Sequence, residues 1–282
     1  MATIVAVRSG NWSDTSHVTG PWPGESTPTT KPGVGDTVQT DEYIITIDED
    51  VTVALLESTS TGYFSVTDAP TLPAVRAITA NVLNSGMANW ALQISNSTGL
   101  VVQTGNATGG VNYGHWGIYN SGAMGDFTGN VYSGGGESAY GLVNEGVMGD
   151  FTGNVYGGSN EGETNAYGLF NAGVTGVMGD FTGNVYGGGG VNSYGIFNNS
   201  GTMGDFTGNV YGGGGGCAYG LYNAGTIGEI DGSLICGADG LFPIFGPFKL
   251  VSNPANVITV VSSTNAPLTL SSATGGGPVR IG

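Results

Sequence analysis

The phrase "MGDFTGNVY" occurs four times in this chain, from Met124, Met148, Met178 and Met203, and this repetition constrains the fold more than any other feature. Aligned on the Asn of "GNV", the copies fall at Asn81, Asn106, Asn130, Asn154, Asn184 and Asn209, in steps of 25, 24, 24, 30 and 25 residues. A second anchor follows each glycine run: "WGIYN", "YGLVN", "YGLFN", "YGIFN" and "YGLYN", ending at Asn120, Asn144, Asn171, Asn198 and Asn223. The two anchors lie 14 residues apart in four repeats and 17 in one, whose extra length sits in "SNEGETNA". A decayed copy, "IGEIDGSLICG", starts at Ile227.

A period near 25 residues, with an insertion confined to one loop, marks a solenoid in which each repeat is one coil. Helical repeats do not fit, because no 3.6-residue apolar period survives a chain with Gly at 55 of 282 positions. WD40 blades need a longer unit of about 40 residues, and the Leu-x-x-Leu-x-Leu frame of leucine-rich repeats is absent. The pattern predicts an all-β protein. Its body is a right-handed parallel β-helix of short strands, each coil stacked about 4.8 Å above the last.

Alternation along a strand assigns the faces. In "MGDFTGNVY" the Phe and Val share one side, so Phe127, Phe151, Phe181 and Phe206 form one core ladder and Val131, Val155, Val185 and Val210 another. The carboxylates point to water. In "YGLFN" the same rule sends both the aromatic and the aliphatic residue inward. Trp116, Tyr140, Tyr167, Tyr194 and Tyr219 are thus expected inside with Ile118, Leu142, Leu169, Ile196 and Leu221. The Asn that follows sits at a bend, where its amide can bond the next coil.

Only five residues are basic against 21 acidic, a net charge of −16. That balance repels phosphate backbones and anionic bilayers, and no apolar run of about 20 residues is present to span a membrane, so neither nucleic acid nor membrane is an expected partner. "MATIVAVRSGNWSD" reads as a strand rather than a secretory signal. Cys217 and Cys236 fall in different repeat columns, as expected of two reduced thiols rather than a bridge.

Two columns are candidates for chemistry or contact. Asp126, Asp150, Asp180 and Asp205, with Glu229 in the decayed copy, could form a cation ladder; the plainer expectation is a solubilising face with no metal. Tyr119, Val143, Phe170, Phe197 and Tyr222 follow the inward aliphatic residues, so alternation turns them outward as an apolar stripe. Such a stripe suits a protein interface, unless the bend tucks it under a loop. No catalytic constellation emerges: the acids are spread evenly, no Lys or Arg lies between Arg76 and Lys249, and His17 and His115 have no evident partners. Neither enzymatic activity nor a cofactor is expected.

Three regions follow from the pattern. Residues 1–70 hold a Pro/Gly/Thr-rich stretch and the alternating "ITIDEDVTVALLES", a β and irregular lead-in suited to docking. Residues 71–240 are the repeats. Residues 241–282, broken by "GLFPIFGPFKL", form a C-terminal β cap or docking segment.

"IVAVRSGNWSDTS…PGVGDTVQT…ITIDEDVTV", followed by "TGNVYGG…YGLFN" coils, resembles the repeat-rich β-helical virion structural proteins of tailed bacteriophages and prophages, over about residues 1 to 225. The resemblance implies a non-enzymatic virion component assembled in the host cytoplasm, foremost a capsid decoration or cement protein. Its expected partners are the major capsid protein or other virion proteins, and further copies of itself, with a trimer favoured. The alternatives are a tail fibre or spike domain that binds a host surface glycan, and a bacterial surface adhesin.

Overall fold

A computed structural model of the chain describes residues 2–25, 28–67, 75–96, 100–110, 116–136, 138–158, 165–173, 175–215, 218–236, 244–245, 249–250 and 260–261. Among them there is no helix, and so none long and apolar enough to cross a membrane. The strands form two sheets, of 22 and 10 members, whose neighbours pair in parallel from one repeat to the next. The protein is a β-solenoid with coils of about 25 residues, as the repeat period predicts.

The larger sheet gathers the "MGDFTGNVY" segments, with register set residue on like residue. Phe127 pairs with Phe151, Phe151 with Phe181 and Phe181 with Phe206. Val131, Val155, Val185 and Val210 follow suit. The smaller sheet stacks the second anchor, Leu142 on Leu169 on Ile196 on Leu221. Both Phe and Val ladders are fully buried against the aliphatic ladder, as alternation requires, and Met124, Met148, Met178 and Met203 extend the same core. The Phe rings stack with centroids 4.9, 4.6 and 5.0 Å apart, the spacing of the strands that carry them.

Glycine is required where coils approach too closely for a side chain. At Gly183 the backbone takes φ 143°, and a Cβ would lie 1.7 Å from the carbonyl oxygen of Gly153 in the coil below. At Gly168, in "YGLFN", a Cβ would come within 2.6 Å of Val185 Cγ1 across the interior. The solenoid is therefore flat at this corner, with the two sheets nearly touching.

The stack begins earlier than the recognisable repeats. Thr3–Val5 pairs with Thr37–Gln39, which pairs with Val51–Ser58, which pairs in turn with Val75–Asn84. The Pro-rich stretch folds back over this end. Trp22 is 1 % exposed, packs edge-on to Trp12 at 4.7 Å, and donates its indole N–H to the Trp12 carbonyl at 2.9 Å. Residues 1–70 thus supply coils to the same two sheets as the repeats, and the boundary drawn at residue 70 falls in 68–74, outside the described residues. Of the expected cap at 241–282, only Ile244–Phe245, Lys249–Leu250 and Val260–Val261 are described, and each continues a ladder of the stack. Cys217 and His115 lie outside the described residues, as does most of the "SNEGETNA" insertion; Cys236 is buried in the last of the Val-ladder coils.

Candidate interaction surface

Asparagines and aspartates hold the coils together where the backbone ladder breaks. At each "GN" bend the side-chain oxygen of one coil accepts the backbone N–H of the Asn in the next: Asn130 to Asn154, Asn154 to Asn184 and Asn184 to Asn209, each at 3.0 Å. The second Asn column is buried and runs as an amide ladder. Asn120 Nδ2 donates to Asn144 Oδ1 at 2.8 Å, Asn144 to Asn171 at 2.8 Å, Asn171 to Asn198 at 2.9 Å and Asn198 to Asn223 at 2.7 Å. Burying so many amides is tolerable only because each one is paired.

The Asp column is exposed and performs the same task at the "GD" bend. Oδ1 of Asp126 accepts the Asp150 N–H at 3.0 Å, Asp150 that of Asp180 at 3.0 Å, Asp180 that of Asp205 at 2.9 Å, and Asp205 that of Glu229 at 2.8 Å. One oxygen of each carboxylate is thus engaged by the neighbouring coil. Among the described residues no group of three or more His, Cys, Asp or Glu is placed to hold a metal ion.

The aromatic residues of the second anchor lie elsewhere than alternation placed them. Leu142, Leu169, Ile196 and Leu221 are inside, but the preceding Tyr and Trp side chains are not part of the core. The chain turns a corner at the intervening Gly, whose Cβ direction points at the Val ladder, and so two successive positions face inward and the aromatic residue is left outside. There it meets the stripe. Tyr167 lies 5.8 Å from Phe170 and 5.0 Å from Phe197, while Trp116 lies 5.2 Å from Tyr119. What alternation read as one outer column is two columns wide.

This belt continues down the smaller sheet through Trp90 to Tyr63. Tyr119, Phe170, Phe197 and Tyr222 are half-buried by one another and by the flanking rings. Val143, in register between Tyr119 and Phe170, is only 1 % exposed, because a short side chain between taller rings is covered. Tyr119 Oη donates to Glu145 at 2.8 Å, and Trp116 donates its indole N–H to the Ser138 carbonyl at 2.9 Å. Burial, above all, pushes the Tyr140 and Tyr167 phenols well up from their usual range.

A third aromatic column escaped the sequence reading. Tyr132, Tyr156, Tyr186 and Tyr211 project from the larger sheet, rings parallel within 4° and centroids 4.7 to 4.8 Å apart. The signal was present: a Tyr follows the inward Val in all four copies, so alternation turns it outward. Burial, and to a lesser degree the neighbouring phenols, raises the pKa of Tyr156 and Tyr186, so these hydroxyls keep their protons at neutral pH.

Compared with protein-family models, curated proteins and solved structures, the chain matches none.

Proposed function

We propose that this protein is a non-enzymatic structural component of a tailed-phage virion, a capsid decoration or cement protein assembled in the host cytoplasm. The observation that carries this reading is the parallel stack of coils, which offers the same outer surface at each step. A scaffold of this kind suits lasting contact with a repeating protein lattice. Its terminal segments fix it to the major capsid protein or other virion proteins. The "GNWSD" lead-in and "GNVYGG" coils support the same assignment by resemblance.

The chain acts as a homo-oligomer, with a trimer favoured, and the belt built on Tyr119, Val143, Phe170, Phe197 and Tyr222 is its self-contact. Rings that are half-buried within one chain are completed by those of a neighbour. Sedimentation of the wild type and of a Phe170→Ser, Phe197→Ser double variant tests the contact; a monomeric wild type refutes it. Imaging of purified particles with this protein labelled tests the location. Label at many sites over the head is expected, and label confined to the tail would replace the decoration reading with that of a fibre or spike.

A further inference from the structure

The outward face of the larger sheet repeats one set of polar groups in four successive coils. Each rung presents an Asp (126, 150, 180, 205), a Thr (128, 152, 182, 207), an Asn (130, 154, 184, 209) and a Tyr (132, 156, 186, 211). The Asp and Thr residues are exposed, the Asn and Tyr half-buried. Asn Oδ1 and one Asp oxygen are engaged by the next coil. That leaves, on every rung, the other carboxylate oxygen as an acceptor, an amide hydrogen as a donor, and two hydroxyls able to act as either.

We propose that this face binds an uncharged, hydroxyl-rich linear polymer, a neutral polysaccharide, laid along the solenoid axis. The chemistry selects it in three steps. The Asp column, in an array without a single Lys or Arg between Arg76 and Lys249, repels nucleic acid and acidic polysaccharide. The tyrosine rings are stacked face to face, so their π-faces are consumed within the ladder and only hydroxyls and ring edges are offered. That disfavours cations, which bind ring faces. Peptides need a free strand edge or an apolar groove, and this face supplies neither of them in its four central coils, where each strand is paired on both sides. A second copy laid face to face would bring two carboxylate columns together. Sugar hydroxyls, each both donor and acceptor, match the mixed rung, and a periodic ligand engages several rungs at once, so that weak contacts sum.

The inference is independent of where the protein resides. Native gels cast with a neutral glucan, mannan or galactan test it on the full-length chain, with hyaluronan as the acidic control. The wild type is expected to be retarded by at least one neutral polymer and not by hyaluronan. Thr152→Val with Thr182→Val removes two hydroxyls from exposed positions and should weaken that binding about tenfold or more, with the thermal melt unchanged. Tyr156→Ala with Tyr186→Ala should abolish it. The Phe170→Ser, Phe197→Ser variant, altered on the other sheet, should bind as the wild type does. No retardation by any of the three neutral polymers overturns the proposal, as does retardation only by hyaluronan or equal binding by the threonine variant.

Discussion

Phe181 and Asp180 are neighbours in the chain with opposite duties. Phe181 is sealed in the core between Phe151 and Phe206, whereas Asp180 is exposed and lends one oxygen to the backbone N–H of Asp205. Phe181→Ala should therefore cost about 3–5 kcal/mol, the range for truncating a buried aromatic. Asp180→Asn keeps an acceptor oxygen and relieves like-charge repulsion along the column, so its melting temperature should match or exceed the wild type's. Equal melts for the two variants would contradict the facing of this strand. Gln103 is the misfit of the ladder. It occupies the column in register with Phe127 and Ile78, fully buried, and neither atom of its amide has a hydrogen-bond partner. Replacing an unsatisfied buried amide by a hydrocarbon of similar volume removes a desolvation cost of about 1–3 kcal/mol. Gln103→Leu should accordingly raise stability in denaturant titrations, and a loss would mean the amide has a partner such as a bound water.

At the scale of the element, the ladders differ in what holds them. The Phe and Val columns depend on apolar burial, the buried Asn column on paired amides, and the outer belt on ring stacking together with protonated phenols. Only the last is sensitive to alkali. Tyr140 and Tyr167 have folded-state pKa values raised above those of an unfolded chain, chiefly by burial. A raised folded pKa means that their contribution is complete below the ordinary phenol range, about pH 10, and is lost as pH rises through the folded value. The melting temperature should thus hold through neutral pH and fall above about pH 10. Tyr140→Phe with Tyr167→Phe should soften that fall. If the double variant falls as steeply as the wild type, the belt is not the alkali-sensitive element.

On the scale of the whole molecule, a solenoid is a chain of nearest-neighbour contacts, and its ends are where it is vulnerable. Residues 1–40 were expected to be a separable docking arm. Instead they contribute Trp12, Trp22 and Val38 to the core and the strand that covers the edge of Leu55–Glu57. Deleting them should lower the melting temperature and leave a protein prone to edge-to-edge association, readable by calorimetry and light scattering. A truncated chain that melts like the full length would restore the separable arm.

The one-dimensional repeat was enough to identify a parallel β-solenoid, its coil length and its Phe, Val and aliphatic ladders. Stacked coils require like residues in like positions, and that requirement is written directly into the spacing. The Asn columns were legible for the same reason, as was the exposure of the Asp column. Three things depended on contacts between coils or across the interior. The Tyr and Trp column lies outside because Gly168 and its equivalents crowd the Val ladder at the corner and break the two-residue alternation. The Asp carboxylates serve as backbone acceptors because the strands part at the "GD" bend, where a ladder bond is missing. The first coils belong to the stack although they share none of the repeated phrase, because parallel pairing needs only a matching pleat and an apolar inner face. Periodicity along a chain records what every coil must do alike; where one sheet presses on the other, the geometry is decided by the packing itself.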